Sequence, residues 1–158
     1  MDRNSLIELY KQYVEMADRV SDRRMKSNQF YMTLLSSLLV VLSFVFHKDS
    51  QPVIGTYNSM IIFFTGLLGI IVCLIWWVNI GSYRQLNSQK FVVIHELEQV
   101  LPFSPYAREW ELLGNGAKSA KYLQLTRIER YVPLILMAPY LVMFFAGLGS
   151  FLAIWQIL

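Results

Sequence analysis

The chain has 158 residues, room for one domain rather than two comfortable ones. Hydrophobic residues make up 55% and charged residues 16%, against about 45–50% and about 25% in soluble domains. The formal charge is only +3, with Lys and Arg scattered singly, so no phosphate-binding surface and no nucleic-acid partner is expected.

The apolar excess falls in three windows, the pattern of membrane spans rather than of a soluble core. Before the first window, residues 1–29 carry six basic and five acidic residues, too polar for a cleavable signal. Ser5-x-x-Glu8 has capping-box spacing. Leu6, Leu9, Tyr13, Met16 and Val20 then recur at helical spacing, which predicts a cytoplasmic amphipathic helix. It either packs on the rest of the cytoplasmic layer or lies on lipid headgroups, and its mixed charge favours packing.

The first predicted span, 30–46, reads "FYMTLLSSLLVVLSFVF" and contains no charge. A turn-rich link, 47–59, follows, with Pro52, Gly55 and Asn58. The second span, 60–80, is long enough to cross at about 31 Å, with Trp76 and Trp77 at an aromatic belt. The third occupies 131–158, from Val132 to about Ile154, with Pro139 expected to kink it. Six Lys/Arg precede the first span, seven fall in 81–130, and one falls in the link. The bias places the N-terminus and 81–130 inside and the C-terminus outside.

The region 81–130 is predicted to be a helical cytoplasmic layer. The second span should run on as a helix to Leu101, with Gly81-Ser82 offering a bend and "PFSPY" a stop. "YAREWELL" follows as a short helix ending at "GNG", and "AKSAKYLQLTRIER" returns to the membrane as a helix. Tyr83, Arg84, Asn87, Lys90, Glu98, Glu109 and Trp110 are expected to form a polar and aromatic network. In it Glu98 and Glu109 would partner Arg84 and Lys90.

Catalytic and metal chemistry is not expected. "GNGAKSAK" lacks the Gly-Lys-Ser/Thr of a phosphate loop, because Ala117 separates Gly116 from Lys118. His95 with Glu96 and Glu98 is too few ligands for a metal, Cys73 lies alone in an apolar run, and no catalytic triad pattern is present. No enzyme activity and no cofactor are predicted. The spans contain no Asp, Glu, Lys, Arg or His, which argues against proton-coupled carriers and leaves room for a pore of hydroxyls, amides or apolar constrictions.

Small residues at four-residue spacing, Thr65 with Gly69 and Ala146 with Ser150, together with Gly66, suit close helix approach and are candidate subunit contacts. The cytoplasmic positions Leu86, Val93, Leu97 and Val100 form a candidate contact in water. The fold class expected is an all-α integral membrane protein of three transmembrane helices, an amphipathic N-terminal helix and a helical cytoplasmic layer, associated as a homo-oligomer.

"LYKQYVEMADRVSDRRMKSNQFY", "SYRQLNSQKFVVIHELEQVLPFSPYAREWELL" and "LTRIERYVP" resemble the RipA-type octameric membrane proteins of bacterial inner membranes. The Tyr-Arg-x-Leu-Asn-x-x-Lys-Phe run is the most specific part. The resemblance implies a bacterial cytoplasmic-membrane homo-oligomer of eight copies and no catalytic residues. Two functions stay open: a gated channel-like or membrane-permeabilising ring, and a scaffold that organises cytoplasmic partners. The bilayer and further copies of the chain are the expected partners, with a cytoplasmic protein or small ligand as a further one.

Overall fold

A computed structural model describes residues 2–47, 56–113 and 128–155, and these hold four α-helices. They are α1 (Arg3–His47), α2 (Thr56–Glu98), α3 (Pro105–Leu112) and α4 (Val132–Trp155). The predicted "GNG" stop and all but the end of the predicted return helix lie outside the described residues, as do the side chains beyond Ser43 in the first apolar window.

The helix α1 is one unbroken element across both the polar segment 1–29 and the window 30–46. It contains neither Gly nor Pro, so nothing in its backbone chemistry stops it where polarity changes. It also starts earlier than the capping-box spacing suggests. The Leu6 N–H bonds to the Asp2 carbonyl at 3.1 Å, which places Ser5 inside the first turn and gives Asp2 the cap position.

The helix α2 likewise runs on past the second window, through Gly81. It ends at Glu98 rather than Leu101. Val100 and Leu101 bond back three residues, to the Leu97 and Glu98 carbonyls at 3.2 and 3.1 Å. The following Pro102 disfavours helical geometry at Leu101 and tightens that last turn. Pro105 then opens α3 at its first position, where its missing N–H costs nothing. In α4 the helix continues through Pro139.

The chain packs as two compact units. The first comprises Met1–Lys26 with Ile80–Ile128, and the second comprises Ser27–Asn79 with Glu129–Leu158. In the first, Ala17, Val20, Ile80 and Ile94 are buried along with one charged residue, Glu98. In the second, Leu35, Cys73, Trp76 and Tyr140 are buried.

Two helical stretches among the described residues are long and apolar enough to cross a bilayer, Asn58–Glu98 and Val132–Ala153. Only 22% and 17% of their most apolar windows is buried within the chain. A core helix of a soluble protein would be mostly covered. These apolar faces therefore need lipid or further protein.

Candidate functional site

In the first unit the organising group is Glu98, 1% exposed. Its carboxylate accepts the Tyr10 hydroxyl at 3.0 Å, the Tyr106 N–H at 2.8 Å and the Ala107 N–H at 3.1 Å. The last two are orphan donors in the first turn of α3, so the carboxylate does the work of an N-cap and meets the positive end of the helix dipole. The residue at the cap position, Ser104, gives no side-chain cap and donates instead to the Glu98 carbonyl at 3.1 Å. One side chain thus ties α1, α2 and α3 together.

Between α2 and α3 lies a groove of about 750 Å³, a ligand-sized volume. Phe91 and Tyr106 meet edge to face at 5.6 Å in its wall, and Val92, Trp110 and Leu113 extend the apolar lining. Its acidic groups are Glu96 and Glu109, with His95, Ser88 and Gln99 beside them, and no Lys or Arg is among the described residues that line it.

Burial, and then the Glu98 carboxylate, pushes the Tyr10 phenol well above its ordinary 10.0. Burial first, then Asp18, Glu109 and Glu98, raises Tyr106. A raised folded-state value means that the folded chain holds these protons more tightly than the unfolded one. The stabilisation is complete below the ordinary phenol value and is lost as pH rises from there through the folded values. The detergent-solubilised protein should therefore melt progressively lower above about pH 10. Tyr10→Phe combined with Tyr106→Phe should flatten that slope, and an unchanged slope would show that these phenols do not carry it.

The second unit holds a polar and aromatic cluster. Trp76, 1% exposed, donates its indole N–H to Asn28 at 2.9 Å and stacks on Tyr31 with ring centres 5.8 Å apart. Asn79 donates to the Ser27 hydroxyl at 2.9 Å. The Arg130 guanidinium sits 4.9 Å over the Trp77 ring. Amphipathic aromatics with polar partners are what a membrane–water interface selects.

Deeper in that unit, Gly66, Gly69 and Gly147 let α2 and α4 close on each other. A Cβ on Gly66 would lie 2.5 Å from the Phe144 nitrogen, and one on Gly147 would lie 2.6 Å from that of Phe63. One on Gly69 would overlap the Tyr140 ring. The Tyr140 hydroxyl donates to the Leu35 carbonyl at 2.6 Å and so ties α4 to α1. On α1, Thr33, Ser36, Ser37 and Ser43 share one helix face and are exposed in the single chain.

The structure rearranges the predicted network. Glu98 is held by a phenol and two backbone N–H groups, not by Arg84 or Lys90. The reason is that Pro102 and Pro105 turn the start of α3 toward it. Lys90 instead sits 3.8 Å from the Met16 sulfur and 5.8 Å from the Tyr13 ring centre. Arg84 is exposed, Tyr83 is half-buried, and the Asn87 side-chain oxygen is buried with no hydrogen-bond partner among the described residues. Glu109 and Trp110 line the groove.

Of the candidate subunit contacts, Gly66 and Gly69 are occupied within the chain, and Thr65 beside them is half-buried. Ala146, Ser150, Leu86 and Val100 are exposed, while Val93 and Leu97 are half-buried. Tyr10, Tyr106 and Ala107 escaped the sequence reading. The available signal was a lone acidic residue just before a Pro-bounded turn.

Among the described residues no cluster of three or more His, Cys, Asp or Glu could hold a metal. Two long apolar helices that are mostly uncovered, with an aromatic and polar cluster in the same unit, define an all-helical membrane protein. The chain belongs to the octameric membrane protein family (8xMP), whose profile matches residues 7–149. No curated protein and no solved structure is significantly similar to it.

Proposed function

We propose that the protein is a non-enzymatic, gated, channel-like ring of eight copies in the bacterial cytoplasmic membrane. Each copy crosses three times, at 30–46, 60–80 and from 131 onward, with the N-terminus and 81–130 inside and the C-terminus outside. Eight copies follow from the family's description, and the orientation follows from the Lys/Arg bias.

The observation that carries the reading is the hydroxyl face of α1. Thr33, Ser36, Ser37 and Ser43 are exposed in the single chain, within an otherwise apolar window. Ser43 bonds back to the Val40 carbonyl at 2.8 Å, and no partner among the described residues engages the other three. Hydroxyls in a bilayer gain most from a neighbouring helix or from a water-filled axis. The same uninterrupted helix carries Tyr10, the partner of Glu98.

Reconstituted into planar bilayers, the purified ring should conduct, and Ser36→Leu with Ser37→Leu should reduce conductance at least several-fold without dissociating it. An intact ring that conducts under no applied voltage or stimulus would overturn the channel and leave the scaffold. The scaffold in turn requires a partner retained in mild-detergent pull-downs through residues 102–121.

A further inference from the structure

Resting on the ring reading above, we infer that the groove between α2 and α3 is completed by a second copy of the chain. The neighbour inserts the side of α2 and its terminal turn that carries Leu86, Lys90, Val93, Leu97 and Val100. These five positions recur every three or four residues and continue one side of the helix into that turn. At its ends Leu86 and Val100 are 48% and 71% exposed, although this unit holds the chain's most polar segments.

The groove occupies a different side of α2, centred on His95 and Gln99. At about 100° per residue the two sides are centred about 150° apart around the helix. A closed ring joins two different faces of each copy, head to tail. For a helix standing along the axis, eight copies need those faces about 135° apart, and four copies only about 90°. The two faces of α2 suit a large ring and not a small one.

Charge supports the same occupant. Among the described residues Lys90 makes no ion pair: its ammonium rests on the Met16 sulfur and the Tyr13 ring, half-buried in the apolar face. The groove offers the Glu96 and Glu109 carboxylates and the Trp110 ring, with no Lys or Arg among the described residues that line it. For a helix along the axis, rotation keeps corresponding residues at one height, so Lys90 and Val93 of one copy face the Ser88–Glu96 rows of the next, in the groove that Trp110 also lines. An ammonium entering an acidic, aromatic groove gains both an ion pair and a ring face.

The test uses the full chain in membranes, in a Cys73→Ala background. Val93→Cys with Trp110→Cys should give a disulfide ladder reaching eight copies, whereas neither substitution alone should cross-link. Lys90→Glu should lower the ring fraction in native mass spectra at least tenfold, and adding Glu96→Lys with Glu109→Lys should restore it. The restoration distinguishes lost docking from misfolding. Self-cross-linking through Val93→Cys alone would mean that like faces meet, which overturns the head-to-tail docking. An intact ring with neither ladder nor charge-swap effect would also overturn it, leaving the ring itself standing. A wild-type chain that forms no ring would instead refute the assembly on which the docking rests.

Discussion

Gly66→Ala should destabilise the second unit by about 3 kcal/mol, the upper part of the range for overpacked interiors. The new methyl would lie 2.5 Å from the Phe144 nitrogen, 2.8 Å from its Cα and 2.9 Å from the Tyr140 carbonyl oxygen. All three are backbone atoms of a helix, so the only relief is to push α4 away. That movement strains the Tyr140 bond to Leu35 and the Phe63–Phe144 stack, whose ring centres are 5.0 Å apart.

Gly69→Ala meets a side chain instead, the Tyr140 ring. Tyr140→Leu should therefore recover part of the loss at Gly69 and none at Gly66. Gly149 and Gly81 have no neighbour within 4 Å of an added Cβ, and alanine there should be neutral or slightly stabilising. Melting of the detergent-solubilised variants, read by near-ultraviolet dichroism of the buried tryptophan, gives the order. A Gly66→Ala protein that melts with the wild type would show that the α2–α4 seam is not this tight.

Glu98→Ala should cost about 3–5 kcal/mol and release α3, because it orphans three donors at roughly 1–3 kcal/mol each, with partial relief from entering water. Those donors are the Tyr10 hydroxyl and the Tyr106 and Ala107 N–H groups. Glu98→Gln should fall between, since its amide nitrogen is a donor turned toward donors. Tyr10→Phe, losing one hydrogen bond, should cost about 1 kcal/mol. Hydrogen exchange supplies the specific readout. The Tyr106 and Ala107 amides should lose protection in Glu98→Ala while the mid-α2 amides keep theirs. Retained protection at both would remove Glu98 from its role as the pin of α3.

The tertiary structure changes how several sequence signals are understood. Lys90 and Glu98 carry opposite charge on one helix, yet Glu98 is saturated by α1 and α3 and Lys90 rests on α1. Charge predicts that a buried carboxylate needs donors. It does not say which donors arrive first, and here the two prolines bring backbone N–H groups. Gly66 and Gly69 do lie at a close helix approach, and the helix that approaches is α4 of the same chain. Small side chains permit contact with any neighbour, and only packing selects one.

Membrane class and helix type were legible from the residues alone. Hydropathy is a property of each residue summed over a window, and helix continuity depends on the presence of Gly and Pro. The same logic makes α1 continuous from Arg3 to His47, although a reading by polarity divides it at 29/30. The partners of Glu98, Tyr140 and Trp76 were decided by tertiary structure, because each lies 48 or more positions away in sequence or is a backbone atom brought near by a turn. Periodicity orders residues around a single helix axis. The crossing and rotation of one helix against another determine which of those faces meet.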